Sequence, residues 1–238
     1  GDYDADGVCS TAILWETLYK LGFDAMPYIP NRFEEGYGVK VSSFSNPKLQ
    51  NLDPKLIICV DNGIIADDGI KEAKKLGIDV IVVDHHTKSV KKLATDYVLH
   101  STVVCGSALS WFLSKEMGIK EGLDLVAIGT IADQMPLLGV NRSIVVDGLK
   151  ELAKTKRIGL QTLFREAKID KTGVYEVGYI IAPRINAMGR LKSATDSLRL
   201  LCTRDKRKAQ ILSKLLHETN IERQKIVDGV IARTLKEV

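Results

Sequence analysis

The sequence predicts an α/β protein whose doubly wound, mostly parallel sheet is followed by a helical portion and a long C-terminal connector helix. Two continuous apolar runs rich in β-branched residues, at 55–61 and 79–84, favour strands that are covered on both faces. Helical patterns at residues 10–22 and 66–77 alternate with them, and a further strand is expected just before Gly1. This β-α-β-α order with short connections is typical of a doubly wound sheet.

The rest of the chain is predicted to be mostly helical. Residues 205–238 keep apolar side chains at helical spacing over more than the length of an ordinary globular helix. The chain has no initiator methionine and ends inside this pattern, so we expect it to be part of a longer protein. The expected parts are an α/β metal-binding core at 1–140, a helical part of that core at 141–204, and a connector helix at 205–238 toward a second domain.

Composition is that of a soluble globular protein, with 45% hydrophobic and 27% charged residues. A net charge of only +4 does not by itself indicate a nucleic-acid binder, so any basic surface must be local. No apolar run approaches the roughly 20 residues that span a bilayer, and no signal peptide opens the chain. The widely spaced cysteines favour free thiols, and we expect a cytoplasmic protein without a membrane partner. They are Cys9, Cys59, Cys105 and Cys202.

Four short motifs place carboxylates and imidazoles at the ends of predicted strands and helices. They are "DYDADG" with Asp2, Asp4 and Asp6, "VDNG" with Asp61, "VVDHH" with Asp84, His85 and His86, and "GTIADQMPL" with Asp133. The carboxyl ends of parallel strands meet at one edge of a sheet, where ligands bind in such folds, so we expect these groups to converge. Taken singly, Asp6-Gly7 or Asp61-Asn62-Gly63 fits a simple turn equally well. His100 and His217 have no such context and are assigned to packing or surface positions.

Converging carboxylates repel one another, and a divalent cation would resolve the conflict. Carboxylates mixed with imidazole suit Mn²⁺, Mg²⁺ or Zn²⁺, and the missing thiolates argue against a structural zinc site. The number of acids suffices for two ions sharing a bridging carboxylate, an arrangement used in phosphoester hydrolysis. One ion activates water as hydroxide while both hold the phosphoryl oxygens. Asp2 fits either a supporting or a structural role.

The four motifs resemble those of the DHH phosphoesterase superfamily. Three further strings, "IPNRFEEGYG", "APRINAMGRL" and "NIERQ", resemble the RecJ-like single-stranded-DNA-specific exonucleases within it, so the resemblance covers essentially the whole chain. It implies a metal-dependent phosphodiesterase directed to the 5′ end of single-stranded DNA. A metal-bound hydroxide would attack, and the 3′ oxygen would leave in line. Single-strand-binding protein or a helicase is the partner that the resemblance suggests.

By motif position, the resemblance also implies roles for individual residues. The ligands of two Mn²⁺ or Mg²⁺ ions would be Asp4, Asp6, Asp61, His85 and Asp133, with Asp61 as the bridge. Asp84 would orient His85, and His86 would face the phosphate to neutralise charge or protonate the leaving group. Many relatives carry a histidine four residues before the position of Asp4, and that position falls before Gly1.

Substrate contacts are expected on two segments. Arg32, with Asn31, lies in the "NRFEEGYG" loop, where its guanidinium matches phosphate oxygens or pairs with Glu34 or Glu35. The second segment and its basic continuation would follow a DNA backbone. It contributes Arg184, Asn186 and Arg190, followed by Lys192, Arg199, Arg204, Lys206, Arg207 and Lys208. Ser107 offers either an anion site at a helix N-terminus or a simple cap. Tyr3, Phe33 and Tyr37 would stack on bases or pack internally.

Two other functions compete with the exonuclease. One is a phosphodiesterase of the same superfamily that cleaves oligoribonucleotides or cyclic dinucleotides. The other is a non-catalytic scaffold of a replication complex, although a scaffold has no need to keep mutually repelling carboxylates together. Inorganic pyrophosphatase, which shares the four motifs, has no use for the "NRFEEGYG" and "NAMGRL" segments.

Overall fold

The computed structural model describes residues 1–88 and 92–237. Val238, the last residue of the predicted connector helix, lies outside the described residues. No helix within the described ranges is long and apolar enough to cross a membrane. The described cysteine side chains are all free thiols.

A three-stranded parallel sheet forms the centre of the N-terminal part. Its strands are β1 (Leu56–Val60), β2 (Asp79–Asp84) and β3 (Val98–His100), in the order β1-β2-β3. Val60 pairs with Val83, and Asp84 pairs with His100, so the carboxyl ends of all three strands lie at the same edge. The two predicted strands are confirmed. The third was missed because three residues carry too little apolar pattern to stand out from a loop.

Helices cover both faces of this sheet, which confirms the predicted fold class. Helices α1 (Ala5–Lys20) and α4 (Gly106–Glu116) pack on one face, while α3 (Asp67–Lys75) packs on the other. The strands divide their side chains accordingly. Val80 and Val82 join the apolar cluster under α3, whereas Val83 joins the cluster that contains α1 and α4. Alternation along a strand sends successive residues to opposite faces, so a sheet covered on both sides needs apolar residues at both.

The N-terminus of α1 is set by Asp4. Its carboxylate accepts a hydrogen bond of 2.9 Å from the Gly7 amide, which satisfies one of the free donors of the first turn. The helix therefore begins at Ala5, five residues before the start that the apolar spacing predicted. Asp6 consequently lies in the first helical turn rather than in a turn between strand and helix.

Beyond the sheet the described chain is mostly helical, as predicted, whereas one short helix before the sheet was not predicted. A short α2 (Pro47–Leu52) precedes the sheet, after the 3₁₀ turn Val41–Ser45. Beyond the sheet lie α5 (Leu123–Ala132), α6 (Gly139–Ala153), α7 (Ile158–Glu166), the π-helical turn Glu176–Ile181, α8 (Ala182–Leu191), α9 (Ala194–Cys202) and α10 (Lys206–Glu237). The predicted long C-terminal helix is confirmed. Its first half packs on α7, α8 and α9 and buries Leu216 completely, whereas Leu235 near its end is 73% exposed.

A single apolar cluster joins the α/β part to the helical part. It includes Val8 of α1, Leu125 of α5, Ile185 of α8 and Leu200 of α9. An ion-pair network ties α1 and α5 to the start of α7, since Arg157 donates bonds of 2.7 and 2.8 Å to Glu16 and of 3.2 Å to Asp124. These contacts fix the orientation of α1. The division at residues 140 and 204 stays a prediction.

Candidate metal centre

The four motifs meet at the carboxyl edge of the sheet. Asp61 directly follows β1, Asp84 ends β2, and His85 and His86 come next. The amino end of α1 brings its aspartates to the same place, and Asp133 is the C-cap of α5. Residues separated by more than 120 positions along the chain therefore face one another.

Three groups of potential ligand atoms define the centre. Within each group, all the ligand atoms lie within 4.8 Å of one another. The groups are Asp61 with His85 and His86, Asp6 with His85 and Asp133, and Asp2 with Asp4 and Asp61. Asp61 and His85 each belong to two groups, so they connect the three. The His85 Nε2 atom lies 3.1 Å from Asp61 Oδ1, 3.8 Å from Asp133 Oδ2 and 3.9 Å from Asp6 Oδ2.

Asp61 is held in an uncommon conformation with φ of +59°, which places strain at the centre of the group. Its amide donates to the carbonyl of Val83 at 2.9 Å, which keeps the residue in line with the sheet. Burial, followed by the neighbouring charge of Asp6, raises the pKa of its carboxyl well above the ordinary value. A side chain at Gly106 would collide with this carboxylate, so glycine is what allows the helix to approach.

The carboxylate of Asp6 lies against the N-terminus of α4. Its two oxygens accept hydrogen bonds from the amides of Gly106 at 2.7 Å and Ser107 at 3.0 Å. The free amides and the positive end of the helix dipole stabilise a negative charge there. Gly129 permits this contact, because a side chain at that position would meet both Asp6 and Ser107.

This contact corrects the assignment of Ser107 to substrate binding. Ser107 is completely buried, and its amide is already bonded to Asp6. Its hydroxyl lies 3.2 Å from the sulfur of Cys105. The N-terminus of α4 is instead occupied by the Asp6 carboxylate of the protein itself. Sequence could not show this because the two residues are about 100 positions apart.

Asp2, left open between a supporting and a structural role, lies within one of the three ligand groups. It is 6% exposed, and its carboxylate accepts a bond of 2.7 Å from the Tyr3 amide. Burial and the adjacent charge of Asp4 raise its pKa to about 7. Asp133 also has a pKa raised to about 7, by burial and then by Asp6 and Asp4.

Asp84 orients His86 rather than His85, which corrects the expected pairing. The His86 Nδ1 atom lies 2.8 Å from Asp84 Oδ1, and the His86 amide donates to the same oxygen at 3.1 Å. The second oxygen accepts from the Ile64 amide at 2.9 Å. Burial opposes ionisation of Asp84, but the bonds from His86 and Ile64 outweigh it and lower its pKa. The same bond to Asp84 raises the pKa of His86, which favours an imidazolium.

Two residues that the sequence did not place at the metal centre contact His86. The hydroxyl of Tyr37 donates to the Asp61 carbonyl at 3.2 Å and lies 3.3 Å from His86 Nδ1. His100, assigned to packing or the surface, donates from Nε2 to the His86 carbonyl at 2.7 Å. The signal for His100 was its place at the end of β3, and that strand was not recognised.

The residues predicted to bind substrate lie in different surroundings. Arg32 is exposed, with its guanidinium 5.2 Å from the centre of the Tyr3 ring, and Asn31 caps its own loop by accepting from the Phe33 amide at 2.9 Å. Both line a groove of about 460 Å³ that also includes Lys192. The groove is lined by charges of both signs, since Glu34 and Glu35 border it as well, and contact of Arg32 with substrate stays a prediction.

The three residues predicted to bind substrate in the second segment have different surroundings. Arg190, at the end of α8, is exposed. Asn186 accepts from the Ala5 amide at 2.7 Å, so it caps α1 beside the acidic residues. Arg184 donates to His217 Nδ1 at 3.2 Å and to the Ile180 carbonyl at 2.7 Å, which directs it toward α10. The contacts of Arg184 therefore support a packing role and not the predicted contact with substrate.

The parallel sheet therefore carries a cluster of carboxylates and imidazoles at its carboxyl edge, which is the chemistry of a divalent-metal-binding α/β protein. The sequence profile of the DHH family, N-terminal domain, matches residues 1–130, and the chain belongs to this family.

Within the family, the chain is similar to RecJ proteins. It is 37% identical over 252 residues to the single-stranded-DNA-specific exonuclease RecJ of Bacillus subtilis, covering 100% of this chain and 32% of the relative. The corresponding protein of Thermus thermophilus is 40% identical over 250 residues, covering 99% and 37%. A crystal structure of exonuclease RecJ bound to manganese superimposes with a TM-score of 0.89 at 38% identity, covering 100% of this chain and 64% of that one. The chain spans about a third of the length of these curated relatives.

Proposed function

We propose that this chain is the catalytic core of a metal-dependent phosphodiesterase that removes nucleotides from the 5′ end of single-stranded DNA. The observation that carries the proposal is the sharing of Asp61 and His85 among the three ligand groups at one sheet edge. The likeness to single-stranded-DNA-specific exonucleases supports the choice of substrate.

Two divalent ions, Mn²⁺ or Mg²⁺, fit the donors of the centre. Carboxylate oxygens with imidazole match the preferences of these ions. Within the described residues, Asp61 Oδ1 and His85 Nε2 are buried without a hydrogen-bond partner, and a cation would satisfy both. The residues proposed to hold the ions are Asp4, Asp6, Asp61, His85 and Asp133, with Asp2 added by the structure. The bound ions would activate water and neutralise the phosphoryl oxygens as charge develops.

The chain's own groups would handle charge and orientation. Asp84 holds the His86 ring and favours its protonated form, so His86 can face an anionic phosphate or donate a proton to the leaving oxygen. Asp6 is fixed by the N-terminus of α4 and cannot turn away from the centre. Arg32 and Arg190 would hold the backbone phosphates of the DNA.

Partner and location are part of the same proposal. The names of the relatives describe exonucleases specific for single-stranded DNA. Single-strand-binding protein or a helicase would deliver such strands to this chain. Free thiols at the four cysteines support a reducing cytoplasm. Co-precipitation of the chain with each candidate partner, with and without DNA, tests the first point.

The deciding experiment is a digest with 5′-labelled and 3′-labelled single strands, duplexes and short RNAs in parallel, with Mn²⁺ present. We expect mononucleotides to be released first from the 5′ end of single-stranded DNA only. Release from the 3′ end would reverse the polarity, and preferential cleavage of short RNA would favour the oligoribonucleotide phosphodiesterase. Tight Mn²⁺ binding without cleavage of any substrate would contradict the enzymatic proposal and favour a scaffold.

A further inference from the structure

The loop at residues 31–38 carries two side chains that border the metal centre. Arg32 lies over the Tyr3 ring, and Tyr37 reaches the Asp61 carbonyl and His86. Tyr37 is flanked by Gly36 and Gly38, whose φ angles are +74° and +69°. Glycine adopts such angles freely, so the backbone on either side of Tyr37 offers little resistance to movement. Besides its own contacts with Asp61 and His86, the position of Tyr37 depends on the contacts that hold the rest of the loop.

Glu35 supplies these contacts from the middle of the loop. Its carboxylate accepts a hydrogen bond from the Tyr28 hydroxyl, one of 2.9 Å from the Asn31 amide, and one of 3.1 Å from the Asn46 side chain. The side-chain Nδ2 of Asn46 also donates to the Tyr28 hydroxyl at 2.9 Å, which closes the network. Burial and the bond to Glu35 raise the pKa of Tyr28, so its hydroxyl stays a donor at neutral pH.

The network joins residues that come before, within and after the loop. Tyr28 precedes the loop, Asn31 begins it, and Asn46 follows the 3₁₀ turn just before α2. The loop backbone is itself a tight turn, because the amides of Glu35 and Gly36 both donate to the Asn31 carbonyl, at 2.8 and 3.1 Å. The Glu35 carboxylate thus pins this turn to the chain on both sides of it.

We propose that Glu35 is a positioning residue that keeps the loop at residues 31–38 preformed, with Arg32 and Tyr37 already in place for the incoming strand. The expected effect on KM rests on the proposed function. The expected effect on the order of the loop rests on the hydrogen-bond network alone. Glu35 does not touch the reacting atoms and acts through Arg32 and Tyr37. Without it, the loop would sample several conformations, and substrate would bind only to the fraction that is correctly arranged. If that fraction falls to about a tenth, the apparent affinity falls about tenfold.

Two substitutions separate the bonding network from the charge. Glu35→Ala removes the acceptor contacts to Tyr28, Asn31 and Asn46. Glu35→Gln keeps an oxygen for the Asn31 amide, and the Tyr28 hydroxyl and the Asn46 amide can turn to pair with its NH₂ group. We expect Glu35→Ala to raise the KM for single-stranded DNA about tenfold while kcat stays within about threefold, and Glu35→Gln to restore KM to within about threefold. Glu151→Ala, at an exposed position of α6, is the charge-matched control and should behave as the original protein.

Hydrogen exchange provides a readout that does not depend on activity. The amides of residues 33–36 should lose protection in Glu35→Ala and keep it in Glu35→Gln, while the Mn²⁺-induced rise in Tm is unchanged in both. Unchanged exchange and KM in Glu35→Ala would overturn the proposal, as would a loss of Mn²⁺ binding, which would place Glu35 at the metal centre. A chain that cleaves no DNA contradicts the proposed function, and exchange then still decides the role of Glu35.

Discussion

The Nε2 atom of His85 lies 3.1 Å from Oδ1 of Asp61, and neither atom makes a hydrogen bond within residues 1–88 and 92–237. Two buried polar atoms that face each other without satisfying each other are costly in a folded protein. A shared cation would turn this conflict into coordination. The relationship between these two side chains is therefore the most direct structural argument for a metal centre.

Asp61→Asn should abolish Mn²⁺-dependent release of mononucleotides while leaving the metal-free protein folded. The substitution keeps the shape of the side chain but removes a buried charge that neighbouring carboxylates repel, so the Tm without metal should stay equal or rise. The rise in Tm on adding Mn²⁺ should shrink, which differential scanning fluorimetry measures. Asp147→Asn, exposed on α6, is the control. Unchanged cleavage by Asp61→Asn would exclude Asp61 as a bridging ligand.

Stabilisation by Mn²⁺ should be larger at pH 8 than at pH 5.5. The pKa values of Asp2 and Asp133 are raised to about 7 in the folded state, against about 4 in an unfolded chain. The stability linked to these groups is fully present below pH 4 and is lost as pH rises toward 7. The raised pKa of His86 acts in the same direction, whereas the pKa of His85, lowered by burial, opposes it in part.

The measurement is the Tm at both pH values with and without Mn²⁺. Without metal the protein should be less stable at pH 8, and the Mn²⁺-induced increase should be greater there, because protons no longer compete for the carboxylates. An equal increase at both pH values would show that Asp2 and Asp133 do not bind the ion.

Asp84→Asn should lower the pKa of His86 toward that of a free histidine. The bond between Asp84 Oδ1 and His86 Nδ1 stabilises the imidazolium, and an amide accepts that bond without a charge. Proton NMR of the histidine ring, assigned with His86→Gln, follows the pKa directly. If protonated His86 is needed for cleavage, the alkaline decline of the rate should move to lower pH in Asp84→Asn. An unchanged pKa would show that Asp84 does not control His86.

Arg32→Ala and Arg190→Ala should each weaken binding of single-stranded DNA without changing Mn²⁺ affinity. Each arginine that contacts a phosphate releases counterions, so each substitution should reduce the slope of log K against log salt by about 0.7. Fluorescence anisotropy at several salt concentrations, with Ca²⁺ replacing Mn²⁺ to limit cleavage, gives both quantities. Arg142→Ala, exposed on α6, is the control. If neither slope changes, the arginines do not contact phosphates.

The sequence predicted those parts of the fold whose patterns are local. Runs of β-branched residues marked β1 and β2, and helical spacing marked α10. The start of α1 was misplaced because capping by Asp4 depends on one side-chain bond and not on apolar periodicity. The short β3 has too few residues for a pattern and exists because it pairs with β2.

The candidate site was likewise predictable from the sequence only in part. Residue types at strand ends were enough to select the acidic and imidazole groups and to predict that they converge. The pairing of Asp84 with His86, the burial of Ser107 against Asp6, and the direction of Arg184 toward His217 were not predictable. Each depends on side-chain directions that neighbouring elements impose.

By itself, the sequence determined the fold class, the family and the acidic and imidazole motifs that converge at the sheet edge, because these follow from residue type and order. Only the tertiary structure decided which group supports which. The N-terminus of α4 fixes Asp6, and the bonds of Asp84 select His86 over His85. Hydrogen bonds have strict limits of distance and angle, so partners far apart along the chain are known only once packing has set their positions.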